Sequence, residues 1–89
     1  MMNEMKEFIA EAGKKADTNF RNLCESRGFE AKIKRSLEEA ISLGVRKAYH
    51  HEQCQSTEAT TMIRYLESIG CHNVKHYQNY SWHYFEFEF

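Results

Sequence analysis

The last stretch of the chain, residues 71–89, alternates regularly between two classes of side chain. From position 83 onwards every second residue is a histidine or a phenylalanine, and the alternate positions from 82 onwards hold Trp82, Tyr84 and two glutamates. A period of two is typical of a β-strand with one buried and one wet face. We therefore predict that the three phenylalanines, including Phe89, face the core.

A turn near residues 78–81 would fold this stretch into a β-hairpin. In the predicted register His76 lies opposite His83, and Lys75 lies diagonal to Glu86. The phenylalanines then share one face of the hairpin, while its tyrosines and its tryptophan share the other.

Residues 3–26 repeat apolar side chains every three or four positions, which is the helical period. Gly13 weakens the middle of this stretch, and Asp17 or Thr18 can cap a new start, so one kinked helix and two short helices both fit the pattern. Gly28 is expected to end the helical segment. The apolar stripe comprises Met5, Phe8, Ile9, Ala12, Ala16, Phe20 and Leu23.

Two further helices are predicted over residues 29–43 and 57–69. Gly44 ends the first of them, and Ser56 or Thr57 is expected to cap the second. Their apolar stripes comprise Ile33, Leu37, Ala40 and Ile41 in one helix, and Ala59, Met62, Ile63, Leu66 and Ile69 in the other.

Residues 45–51 fit either a short strand or a continuation of the preceding helix. Val45, Lys47 and Tyr49 alternate as in a strand. We favour the strand, because Gly44 precedes a β-branched residue and the segment holds a single strong helix former.

The element order is therefore α-α-β-α-β-β, which predicts an α+β fold. N-terminal helices are followed by a strand, a helix and a hairpin, and the small, mostly antiparallel sheet packs on the helices. Residues 1–89 are expected to form one domain, with a helical segment at 1–28 and an α-β-α-β-β unit at 29–89. The predicted core comprises Phe85, Phe87, Val74, Ile63, Leu66, Leu37 and Ile41.

The layout of residues 29–89 resembles that of small proteins of unknown function encoded by tailed bacteriophages. The resemblance depends on the run Phe29-x-x-Lys32-Ile33-x-x-Ser36-Leu37-x-x-Ala40, on the run Ile63-x-Tyr65-Leu66-x-Ser68-Ile69-Gly70, and on the aromatic hairpin. Such proteins often finish in a strand like Ile-Ser-Trp, whereas this sequence has Glu86-Phe87-Glu88-Phe89. The resemblance implies a phage origin and a compact α+β fold, and it implies no reaction.

Composition excludes several classes of protein. With 12 basic and 13 acidic residues the net charge is −1, so no overall field attracts nucleic acid or an anionic membrane. No apolar run has the length of a membrane span, and the N-terminus lacks the pattern of a signal peptide. Three cysteines without paired spacing indicate a reducing compartment. We expect a cytoplasmic protein, located in the host cytoplasm if the chain is phage-encoded.

The histidines and cysteines do not form a recognisable metal or catalytic motif. The pair His72-x3-His76 has the spacing of zinc ligands, but on a strand these residues would lie roughly 13 Å apart. His76 and His83 can meet across the hairpin, although two histidines without an acidic or thiolate ligand make a weak site. The four glycines are isolated, so no phosphate-binding loop is present. We expect no enzymatic activity, no metal and no cofactor.

The clearest functional candidate is the group of Tyr77, Trp82 and Tyr84 on the wet face of the hairpin. Two interpretations stay open: the N-terminal helix covers these residues as core, or they form a protein interface, with homo-oligomerisation as its simplest form. We predict a protein that binds a host or phage protein, in host takeover or in countering host defence. The alternatives are a minor virion component and a nucleic-acid-binding accessory protein. The latter would combine the basic residues of 32–47 with base stacking on the aromatic face, where Glu86 and Glu88 oppose it.

Overall fold

A computed structural model describes residues 2–89, with side-chain surroundings from Asn3 onwards. Along this part of the chain the fold is α+β, as the periodicity predicts. The elements are α1 (Met2–Ser26), α2 (Phe29–Leu43), β1 (Lys47–Gln53), α3 (Ser56–Ser68), β2 (His72–Asn79) and β3 (Trp82–Glu88).

The element boundaries settle the alternatives that the sequence leaves open. α1 is one continuous helix of 25 residues through Gly13. Gly44 adopts a left-handed conformation with φ 71°, and its N–H donates to carbonyls of the last turn of α2. The strand predicted at 45–51 is present, but it begins and ends two residues later. The expected cap of α3 is wrong: Gln55 is the N-cap, without a side-chain capping bond in the described structure, and the helix begins at Ser56.

The sheet has the order β1-β3-β2, and both neighbours run antiparallel to the central strand β3. The hairpin register differs by two residues from the predicted one. His76 pairs with Phe85 instead of His83, because the chain turns at 80–81, where Tyr80 takes a φ of 58°. From Lys75 onwards this shift of two residues keeps the strand side chains on their predicted faces, since side chains alternate with a period of two. His72 is an exception: the register is irregular between His72 and Lys75, so His72 pairs with Glu88 and not, as strict alternation predicts, with a phenylalanine.

One face of the sheet is covered by helices and the other is open. α2 packs on β1, α3 packs on β2 and β3, and α1 packs on α2 and α3. We call the helix-covered side the inner face and the opposite side the outer face. The inner face therefore holds the hydrophobic core of the domain.

The core forms between the inner face and the two covering helices. Its largest fully buried side chains are Phe29, Ile33, Met62, Leu66, His83, Phe85 and Phe87. The predicted core residues Leu37, Ile63 and Val74 pack against this core but are only partly buried. Ile41 was a predicted core residue, and this prediction is wrong, because its side chain is 65% exposed. The buried stripe of α2 runs through Phe29, Ile33, Ser36 and Ala40, which turns Ile41 by about 100° away from the sheet.

The first half of α1 extends beyond the rest of the domain. Near its C-terminal end Cys24 is buried, and Phe20 lies under the Arg64 guanidinium at 4.0 Å from the ring centroid. Met5, Phe8 and Ile9 are 60%, 68% and 62% exposed. The molecule is accordingly elongated, with a longest dimension of 56 Å. Only the C-terminal part of the predicted apolar stripe contributes to the core.

Candidate binding face

The outer face of the sheet carries a cluster of aromatic rings that spans all three strands. Tyr84 lies on β3, at the centre, with Tyr77 opposite it on β2 and His51 opposite it on β1. The His51 ring stacks on Tyr84, with 5.8 Å between centroids, and also contacts Trp82 at 5.7 Å. Alternation along the strands directs all these rings to the outer face. We call the five residues Tyr49, His51, Tyr77, Trp82 and Tyr84 the ring cluster.

The predicted candidates Tyr77, Trp82 and Tyr84 lie together in this cluster. Their side chains are 59%, 41% and 40% exposed, so α1 does not bury them. The interpretation of these residues as a second core is therefore wrong. Large aromatic side chains left in water on one continuous surface are typical of an interaction site.

Sequence reasoning missed Tyr49 and His51. Both residues alternate with inward-facing residues along β1, which was a visible signal. What the sequence could not supply was the neighbour of this strand. Only the pairing of β1 with β3 places Tyr49 beside Glu86 and His51 beside Tyr84.

The other end of the outer face is charged and internally paired. Lys75 Nζ lies 3.6 Å from Glu86 Oε2, and Lys47 is the cross-strand partner of Glu88. The Asn73 amide donates a hydrogen bond to Glu88, and this bond lowers the pKa of the Glu88 carboxyl. Two lysines thus face two glutamates. The outer face has an aromatic end and a charge-balanced end.

The inner face contains a half-buried polar network at the end of β1. Lys32 Nζ lies 2.8 Å from Glu52 Oε2, and His50 Nε2 lies 3.0 Å from Glu52 Oε1. Burial by itself raises the pKa of Glu52, but the hydrogen bonds from Lys32 and His50 outweigh it, so the pKa is lowered. Glu52 is therefore held as a carboxylate between two donors.

His76 and His83 also meet on the inner face, although they are not register partners. Their rings are parallel with 5.0 Å between centroids, and His76 Nε2 lies 2.7 Å from His83 Nδ1. One imidazole donates and the other accepts, so the accepting ring is neutral. Two nitrogen ligands of one zinc ion would lie about 3.3 Å apart for Zn–N bonds of roughly 2.0–2.1 Å. The 2.7 Å separation fits a hydrogen bond better than a shared metal.

Glu52, Cys54 and Glu58 form a second cluster that sequence reasoning missed, because they come from a strand, a loop and a helix. Their ligand atoms lie within 4.8 Å of one another. Each carboxylate already has a cationic partner, however: Lys32 for Glu52, and Arg27 for Glu58 at 2.8 Å. A metal ion would have to displace both. The cluster is best described as an ion-pair network.

The three cysteines are free thiols with raised pKa values. Burial is the main cause at Cys24, Cys54 and Cys71, and the carboxylates of Glu52 and Glu58 add to it at Cys54. A raised pKa keeps a thiol protonated at neutral pH, and a protonated thiol is a poor nucleophile. The geometry thus favours structural roles for these cysteines.

Comparisons with known proteins add no relative. No protein-family model matches the chain, and no curated protein or solved structure is significantly similar to it. Across residues 2–89 no helix combines the length and the hydropathy that crossing a bilayer requires.

Proposed function

We propose that this protein acts by binding a partner protein through the ring cluster on its outer sheet face. The observation that supports this proposal is the continuous row of Tyr77, Tyr84 and His51 across three strands, with Trp82 against it. Burying such rings stabilises a complex by about 25 cal/mol per Å² of apolar surface. Tyr and Trp are also the residues that most often dominate the binding energy of an interface.

The arrangement of the outer face matches the anatomy of a protein interface. An aromatic centre lies beside a polar end in which Lys75 and Glu86 already satisfy each other. Interfaces commonly combine a desolvated centre of this kind with a polar rim. Because the layout of residues 29–89 resembles that of small phage proteins, we propose a host-cell or phage protein as the class of target.

A nucleic-acid ligand is less compatible with the charges of this face. Stacking platforms for single strands are combined with a positively charged groove for the backbone. Here both lysines of the outer face are matched by Glu86 and Glu88. Lys34 and Arg35 belong to α2, which covers the inner face. The rings and the excess basic residues are therefore on different sides of the molecule.

The proposal can be tested with the double variant Trp82→Thr/Tyr84→Thr, which removes two rings and replaces them with a β-branched residue that also favours strands. Ile41→Gln is the matched control, because it removes an exposed apolar side chain from a helix on the other side of the sheet. The immobilised full-length protein should retain specific bacterial or phage proteins from an infected-cell lysate. We expect the parent and Ile41→Gln to retain the same proteins and the double variant to lose them.

Two outcomes would contradict the proposal. One is retention of the same proteins by the double variant, provided that circular dichroism shows an unchanged fold. The other is tight binding of a fluorescent single-stranded oligonucleotide that weakens steeply with salt and depends on Trp82 and Tyr84, which would assign the face to nucleic acid.

A further inference from the structure

The exposed apolar stripe at the start of α1 is a second unpartnered surface, remote from the ring cluster. Met5, Phe8 and Ile9 project from the half of the helix that extends beyond the domain. Ala12 and Ala16 continue the same stripe at helical spacing. Three large apolar side chains followed by two small ones indicate a helix that packs closely against another helix.

The charges of α1 identify the occupant of this stripe. Its first half carries three glutamates and one lysine, at positions 4–11. Its second half carries three basic residues, Lys14, Lys15 and Arg21, against two acidic residues, Asp17 and Glu25, and Asp17 is already paired with Arg64 at 3.2 Å. The two halves of one helix therefore have opposite sign. A second copy of the same helix is complementary to it when the two run antiparallel.

We propose that the protein forms a homodimer in which two α1 helices pack antiparallel and cross near Ala12 and Gly13. The small residues at the crossing allow close approach of the backbones. Ile9 of one copy then lies near Ala16 of the other, and Met5 lies near the partner's exposed side of Phe20. A parallel arrangement would instead place the acidic half of one α1 helix against the acidic half of the other, which like-charge repulsion disfavours.

A specific charge pair follows from this geometry. Glu11 and Lys15 are one helical turn apart, so they lie on the same edge of the stripe. A two-fold axis near Gly13 brings Glu11 of each copy to Lys15 of the other. The interface comprises two short helix faces and falls in the small class, below about 1,200 Å² in total. The dimer should therefore depend on concentration.

Sedimentation equilibrium of the full chain tests the stripe. We expect a monomer–dimer equilibrium for the parent, and at least about tenfold weaker association for Phe8→Gln/Ile9→Gln, from the loss of apolar burial. The double variant Trp82→Thr/Tyr84→Thr should dimerise like the parent, because the dimer does not use the ring cluster. A parent that stays monomeric at millimolar concentration would overturn the inference. Association that is lost with the ring-cluster variant and kept with the stripe variant would also overturn it, while leaving the proposed function intact.

Charge reversal tests the pairing. Lys15→Glu and Glu11→Lys should each weaken the dimer roughly twofold to tenfold, and the double reversal should restore parental association. Equal association of the parent and both single variants would contradict this pairing.

Cysteine cross-linking tests the orientation. Under mild oxidation Ala12→Cys should form a disulfide-linked dimer, and Met5→Cys should not, with the parent as the control for native thiols. Efficient cross-linking of Met5→Cys would overturn the antiparallel arrangement.

Discussion

The two faces of strand β3 are both rich in aromatic residues, yet their surroundings are opposite. Phe85 and Phe87 are sealed under α2 and α3, whereas Trp82 and Tyr84, on the alternate positions, remain open. The difference comes from the covering helices and not from the strand. Aromatic side chains therefore mark both faces as surfaces suited to burial. Only the neighbouring elements decide whether a face is buried within the chain itself or stays available to another molecule.

The inner face also has to accommodate polar groups, and it does so by pairing them. His83 is 1% exposed and has His76 as its partner, while Glu52 has Lys32 and His50. Among the described residues, every buried side-chain nitrogen or oxygen has a hydrogen-bond partner. On the outer face, water can replace any lost partner. The same substitution should thus have a larger effect inside than outside.

The largest expected difference between the faces concerns an aromatic ring. Phe87→Ala should lower the free energy of unfolding by about 3–5 kcal/mol, because it removes buried area and leaves a cavity. Tyr77→Ala on the outer face should lower it by no more than about 1 kcal/mol. Urea denaturation followed by circular dichroism measures both values. A Phe87→Ala protein that melts within a few degrees of the parent would show that the inner face is wrongly assigned.

A smaller difference is expected between the two ion pairs. Lys32→Met leaves Glu52 on the inner face without its cation, and we expect a loss of about 1–3 kcal/mol. Lys75→Met removes an exposed partner of Glu86, at 3.6 Å, and should change stability by less than about 1 kcal/mol. The same urea experiment compares the two variants. Equal effects would mean that the inner network contributes no more than a surface pair.

Mild acid should act on the inner face through the histidine pair. Burial, followed by the charge of His83, lowers the pKa of His76 below its ordinary value of about 6.5. The unfolded chain then binds a proton at this histidine more readily than the folded chain. The contribution of His76 to stability is therefore fully present above pH 6.5 and is lost as the pH falls below it. The lowered pKa of Glu52 adds a second loss below about pH 4.5.

The variant His76→Gln separates these two effects, because glutamine can still hydrogen-bond to His83 without titrating. Its free energy of unfolding should vary less than that of the parent between pH 7 and pH 5, and equally below that range. An unchanged slope between pH 7 and pH 5 would assign the acid sensitivity to other groups.

Local periodicity was sufficient to predict much of this fold. The limits of α2, the presence of α3 and the faces of the hairpin residues from Lys75 onwards follow from side-chain spacing alone. The pairing of His72 with Glu88 does not, because alternation carries no signal of the irregularity that precedes Lys75. The hairpin register did not follow, because a shift of two residues leaves the alternation unchanged. The exposure of Ile41 did not follow either, since residues 40 and 41 are both apolar and only contact with the sheet selects between them.

The candidate site was predictable to a similar extent. Tyr77, Trp82 and Tyr84 were identified because aromatic rings occupied positions that alternation assigned to water. Tyr49 and His51 were not, because their place depends on the long-range pairing of β1 with β3. The cluster of Glu52, Cys54 and Glu58 depends on the same kind of information. Contacts between elements that are distant in the sequence produce no periodic pattern of side chains, so the sequence alone does not reveal them.

The first half of α1, which extends beyond the rest of the domain, should unfold locally more easily than the sheet. A helix of about 15 residues is only marginally stable in water by itself, and Gly13 lowers its stability by about a further 1 kcal/mol relative to alanine. The amides of the first turns should therefore exchange with deuterium through local fraying, whereas those of β3 exchange only when the whole domain unfolds. Association through α1 would slow exchange in the first class and leave the second almost unchanged. Amide protection at the start of the helix would then rise with protein concentration.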